Sequence, residues 1–169
     1  MIKHYETLTA TYGGALLQFN EDKINCSLSG VSHSISNVWI TVPYKNHQIH
    51  IDNEYGISNS ALVEMEIENG FIPAFTIDSR SHFQNLFSFK KKRFIVKCDN
   101  LQYKKILEGA LITSGMDQIS KDNLFEPTIK VENKNGVQFI NTAHHLQFND
   151  KIGGVKALID FYKIIVDRL

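Results

Sequence analysis

The sequence predicts an α+β fold in which an antiparallel β-sheet built from hairpins carries about three helices. Several short segments alternate apolar with polar residues, and clusters of turn residues join these segments into hairpins. The repeated strand–helix–strand rhythm of a parallel sheet is absent from the sequence. With 169 residues we expect one domain over 1–169, strand-rich over 1–78 and strand–helix–hairpin–helix over 79–169.

The strands are predicted from apolar side chains that recur at every second position. The clearest strand is Leu62–Glu68, where three apolar residues alternate with three glutamates, and Arg93–Cys98 shows the same period. Hairpins are predicted over three further segments, namely Ala15–Phe19 with Ile24–Leu28 around a polar turn at 20–23, Asn37–Asp52, and Thr128–Ile140 around Asn135-Gly136.

Three helices are predicted from apolar residues spaced three and four apart. The first covers Ile2–Tyr12 and is closed by Gly13-Gly14. The second follows Asp99-Asn100, either of which can cap it, and ends near Gly115. The third runs from Ile152 to Leu169 with one continuous apolar stripe, so we expect it to pack against the sheet.

Composition limits the classes of function. Eighteen basic and eighteen acidic residues give zero net charge, so no global field attracts nucleic acid, and we expect no nucleic-acid partner. No segment approaches the ~20 apolar residues that span a bilayer, and the first seven residues lack a signal peptide's apolar run. Cys26 and Cys98 form no metal-ligand motif, and we expect a reducing, cytoplasmic location.

The densest charge cluster lies beside aromatic residues. Its candidate binding residues are Lys90, Lys91, Lys92 and Arg93 with Phe87 and Phe89. Basic side chains beside aromatic rings can contact phosphates or anionic lipid headgroups. They can equally form a solvated strand entrance, whose charges keep a phenylalanine-rich segment from aggregating.

No catalytic or metal-binding motif is present in the sequence. His50 and Asp52 are the least unfavourable acid–base or metal-binding pair, because residues two apart on a strand share a face. Solvated hairpin residues are the simpler interpretation of this pair. Adjacent His144 and His145 point to opposite faces of an extended chain. We therefore expect no cofactor, no metal ligand and no catalytic residue.

One part of the chain resembles a known group of proteins. It reads His82–Phe89, then Arg93–Asn100, with Ile106-Leu107 in the following helix. This resembles a loose group of uncharacterised bacterial domains in which a Phe-x-x-x-Phe-x-Val strand, a polar cap and an Ile-Leu or Leu-Leu helix recur. The resemblance implies a bacterial protein that is the soluble part of, or associated with, a membrane protein. Where those domains place an Asp beside a Phe, this chain has Ser81–Gln84.

The interpretation that these observations favour is a non-enzymatic protein-interaction or accessory domain. Its partner would be a second copy paired along an uncovered strand, or another protein bound at the aromatic segment Phe71–Phe94. Two alternatives remain open. One is a membrane-surface accessory domain that uses Lys90–Arg93, and the other is a small metal-dependent or acid–base enzyme around His50 and Asp52.

Overall fold

A computed structural model describes residues 2–25, 32–67, 71–80 and 93–169. Its elements in chain order are α1 (Ile2–Ala10), β1 (Leu16–Asn25), β2 (Ser32–Tyr44), β3 (His47–Tyr55), β4 (Ser60–Ile67), β5 (Phe75–Ser79), β6 (Phe94–Cys98), α2 (Leu101–Thr113), α3 (Met116–Asn123), β7 (Thr128–Lys134), β8 (Val137–His145) and α4 (Lys151–Val166). The predicted α+β class is confirmed. The described residues contain four helices, whereas the sequence predicts about three.

All eight strands form one antiparallel sheet with the order β1-β2-β3-β4-β8-β7-β5-β6. The first four strands follow one another as a meander, and the β7–β8 hairpin then pairs with β4 through β8. Strands from both predicted parts of the chain therefore share a single sheet.

The hairpin turns follow the predicted backbone chemistry. Asn135 and Gly136 connect β7 to β8 with φ angles of 55° and 84°, the left-handed conformation that a two-residue hairpin turn requires. Lys45 adopts a φ of 53° in the turn between β2 and β3. The predicted hairpins over Asn37–Asp52 and Thr128–Ile140 are thus confirmed.

The four helices cover one face of the sheet, because their buried side chains join the same core as the inward side chains of the strands. Tyr162 of α4 marks the contact: its hydroxyl lies 3.0 Å from the carbonyl oxygen of Val63 and 3.1 Å from that of Ile140. The Thr142 hydroxyl is 3.0 Å away. These bonds fix α4 across the β4–β8 pair, as its apolar stripe predicts.

The sequence prediction is wrong at three places. The polar residues 20–23 do not form a turn, because β1 continues through them and pairs with residues 34–37 of β2. β5 was not predicted, since its five residues are too few to show a period. α3 was not predicted either, because its sequence is polar and buries only Met116 and Ser120.

Candidate functional site

Arg93 is the one residue of the predicted basic cluster that lies within the described part of the chain. Phe87, Phe89, Lys90, Lys91 and Lys92 lie outside the described residues. Arg93 is described, and its side chain is only 3% exposed. Its Nε donates to Ser120 Oγ at 3.2 Å, and its guanidinium lies 3.5 Å from a Glu126 carboxylate oxygen.

Arg93 is thus buried, whereas the sequence indicates an exposed basic patch; the role of that patch stays a prediction, because its other members lie outside the described residues. A buried guanidinium needs hydrogen bonds and an opposite charge, and α3 and the segment before β7 supply both. Arg93 therefore fixes the start of β6 against α3.

His50 and Asp52 lie on the face of the sheet opposite the helices. They border a shallow depression of about 330 Å³ together with Trp39 and Leu62. A His50 ring nitrogen is 3.2 Å from the Thr41 hydroxyl. Among the described residues, no three His, Cys, Asp or Glu side chains are grouped to hold a metal ion. The pair shares a face as predicted, and Glu64, which lines the same depression, is already bonded to Lys134 Nζ at 2.7 Å.

A larger cleft of about 950 Å³ lies between α1 and the N-terminal half of α4. Its apolar lining includes Leu8, Tyr12 and Ile152. Two tyrosines, Tyr5 of α1 and Tyr55 at the end of β3, complete its base. Charged residues at the rim belong mainly to α4, and they are Asp150, Lys151, Lys156 and Asp160, with His4 of α1 beside them.

The Tyr5 and Tyr55 hydroxyls are hydrogen-bonded to each other. Burial raises the pKa of Tyr5 far above the usual value for a phenol, and its bond to Tyr55 raises it further. Burial also raises the pKa of Tyr55, while the bond from Tyr5 lowers it. Either hydroxyl can donate in this bond, so the pair uses one phenolic proton internally and leaves the other for a further acceptor.

Lysine ammonium groups lie over the rings of two tyrosines of the cleft, Tyr12 and Tyr55. Lys163 Nζ is 4.2 Å from the centroid of the Tyr12 ring, and Lys151 Nζ is 5.9 Å from that of Tyr55. The buried Tyr12 hydroxyl lacks a partner at ideal hydrogen-bond geometry among the described residues, but Asp160 is close enough to interact with it. Burial, and secondarily the charge and hydrogen-bonding of Asp160, raise the pKa of Tyr12. Tyr12 is therefore protonated at neutral pH.

Sequence patterns did not identify the cleft. Tyr5 and Tyr12 belong to the apolar stripe of the first predicted helix, and such a stripe is typical of core residues. Tyr55 lies fifty residues from Tyr5, and only the packing of α1 beside β3 brings the two hydroxyls together. The sequence offers no local signal for such a pair.

A buried polar row crosses three strands on the helix side of the sheet. In the strand register Asn53 pairs with Ala61, and Ala61 pairs with His144. The Asn53 amide and both His144 ring nitrogens have no hydrogen-bond partner in the described part of the chain. Burial, followed by the charge of His145, lowers the pKa of His144 to about 4. His144 is therefore neutral at physiological pH.

β1 forms one edge of the sheet. Among the described strands, β2 is its only partner, so no described strand pairs with the other side of its backbone. Leu16 is 64% exposed and Phe19 is 42% exposed. Residues 22–25 and 32–35 extend the β1–β2 ribbon past the last β3 pair, which joins Ser36 to Tyr55.

No helix among the described residues is both long and apolar enough to cross a membrane. Comparison of the chain with protein-family models, with curated proteins and with solved structures found no match. Its function therefore has to be inferred from the geometry of its own residues.

Proposed function

We propose that this chain is a non-enzymatic interaction domain that pairs with a second copy of itself along the edge of β1. The observation that carries the proposal is the ten-residue edge strand, which exposes the large apolar side chains of Leu16 and Phe19. An unpaired edge of this kind is a template for another strand. A second β1, related by a two-fold axis, is the partner that the sequence itself provides.

The opposite edge of the sheet makes a useful comparison. β6 has five residues, and its Lys97 forms an ion pair of 2.9 Å with Asp78 of β5. A short strand with a charged side chain is the usual protection against edge pairing. The first half of β1, Leu16–Asn20, contains no charge, no proline and no glycine, while the charged residues of this strand, Glu21–Lys23, lie in its second half. Of the two edges, β1 is therefore the one suited to association.

Antiparallel pairing of two β1 strands would extend the sheet and keep the helices of both copies on one side. Phe19 pairs with the buried Val38, so it lies on the helix side of the sheet. Leu16 lies on the opposite side, beside Thr41. An interface at this edge would bury one apolar side chain on each face, which removes two exposed patches at once.

Sedimentation velocity over a dilution series tests the proposal directly. We expect the wild-type protein to form a reversible dimer. Phe19→Lys should weaken the dimer about tenfold or more, since it removes a partly exposed apolar side chain from each copy and adds two like charges. Ile112→Lys is the matched control, because Ile112 is an exposed apolar residue on α2, away from β1.

Three results would contradict the proposal. A wild-type protein that stays monomeric at every concentration excludes self-association. Equal weakening by Phe19→Lys and Ile112→Lys shows that the effect does not arise at β1. Loss of the dimer in Ile95→Lys, with Phe19→Lys unaffected, assigns the interface to β6, where Ile95 lies.

A further inference from the structure

We propose that the cleft between α1 and α4 binds a small organic molecule that carries a carboxylate on an apolar body. This inference goes beyond self-association at β1, because it concerns a different surface and a different class of ligand. The volume of the cleft, about 950 Å³, is at the upper end of the range of typical ligand pockets. The following contacts indicate which chemistry it would recognise.

The base of the cleft is apolar and fixed in place. Tyr5 and Leu8 of α1 are 1% and 5% exposed, and both belong to the main core. Ile152 of α4 packs against the same core from the other side. Side chains anchored in this way do not rearrange easily, so the cleft presents a preformed apolar surface to a hydrocarbon or aromatic group.

Hydrogen-bond donors also line this cleft. The Tyr5 and Tyr55 hydroxyls share one hydrogen bond, which uses one of their two protons and leaves the other for a ligand. Lys151 Nζ lies 5.9 Å from the Tyr55 ring, and Lys156 lines the same cleft. Two ammonium groups and a hydroxyl donor match the two oxygens of a carboxylate, which accepts short, charge-assisted hydrogen bonds.

The two carboxylates of the cleft are arranged differently. Asp150 caps α4, because its Oδ1 accepts from the Gly153 backbone N–H at 2.8 Å. Its charge is therefore already directed toward the helix. Asp160 also lines the cleft, and it lies close enough to Tyr12 to raise the pKa of that hydroxyl. Asp160 should repel an anionic ligand and lower its affinity. Neutralising Asp160 should therefore strengthen binding of an anion, whereas neutralising a lysine of the cleft should weaken it.

Octanoate is a suitable probe, with 1-octanol and octyltrimethylammonium as its neutral and cationic counterparts. Amide shifts in ¹H–¹⁵N spectra would report binding. We expect an octanoate Kd of about millimolar, as is usual for a ligand of this size. Lys151→Gln should weaken octanoate about two- to fivefold, and Asp160→Asn should strengthen it by a similar factor. Tyr55→Phe should weaken it about tenfold.

Matched controls lie outside the cleft. Tyr44→Phe and Lys45→Gln remove the same chemical groups at the turn between β2 and β3, and we expect both to leave octanoate binding unchanged. If Tyr55→Phe fails to fold, the paired variants Lys151→Gln and Asp160→Asn still decide the question. Their effects must have opposite signs.

Each remaining outcome would overturn the proposal. Absence of octanoate-dependent shifts at cleft residues removes the site. Equal affinity for octanoate and 1-octanol shows an apolar cleft that does not recognise a carboxylate. Tighter binding of octyltrimethylammonium, abolished by Asp160→Asn, identifies a cation site instead.

Discussion

Acid should destabilise this fold through His144, which is buried in an aromatic cluster. Its imidazole ring is 4.9 Å from the ring of Phe125 and 5.9 Å from that of Phe148, and it is 5% exposed. Neither ring nitrogen has a hydrogen-bond partner among the described residues. A positive charge here would be desolvated and unpaired, so the folded protein resists protonation.

The size of the effect follows from proton linkage. The pKa of His144 is about 4 in the folded protein against 6.5 when unfolded, mainly because of burial. Below pH 6.5 the unfolded chain binds a proton that the folded chain does not, so stability falls with decreasing pH. Each pH unit costs about 1.4 kcal/mol until the folded form also titrates, which gives a total of about 3 kcal/mol near pH 4.

Urea unfolding of the wild type and of His144→Phe, measured from pH 7.5 to 4, tests this calculation. Acidic groups such as Glu132 and Asp167, whose pKa values are lowered by ion pairs with lysines, contribute equally in both proteins. The difference between the two curves should therefore isolate His144 and grow from pH 6.5 downwards. Parallel curves, or a His144 that titrates near pH 6.5 in NMR spectra, would refute the reasoning.

Four further substitutions test the packing. Tyr162→Phe should lower the free energy of unfolding by about 1–3 kcal/mol in urea titrations, since it removes the buried hydroxyl that joins α4 to the sheet. Gly56→Ala should lower the free energy of unfolding by about 2 kcal/mol or more, because φ is 126° and a Cβ would lie 2.5 Å from the Ser34 carbonyl oxygen. Gly109→Ala should instead raise the free energy of unfolding by about 0.5–1 kcal/mol, because Gly109 lies in α2 with open space around it. Asn53→Leu should raise the melting temperature by removing an unpartnered buried amide, and a loss of stability would contradict that assignment.

The fold was predictable wherever one periodicity dominated a segment. β4 has a core face of Val63, Met65 and Ile67, and its other face is polar, so alternation alone identifies the strand. Asn135-Gly136 likewise specifies its turn, because few other residues adopt positive φ angles readily. Local signals were sufficient in these segments.

The edge of the sheet was harder to predict because both of its faces contact water. Residues 20–23 are polar in a strand that is exposed on both sides, and the same composition is typical of a turn. Arg93 shows the converse error. A basic residue next to three lysines indicates a charged surface, while its burial depends on Ser120 and Glu126, which are distant in sequence.

Two of the unpartnered buried polar side chains, Asn53 and His144, lie one strand apart from each other across β4. Asn53 lies two residues before Tyr55 on the same face of β3, so the amide is next to the base of the cleft. His144 contacts Phe148, and the two residues that follow Phe148, Asn149 and Asp150, line the cleft. Departures from an apolar core are costly and tend to be kept at functional sites. Their position beside the cleft is therefore an independent reason to look for a ligand there, since packing alone would have favoured leucine at both positions.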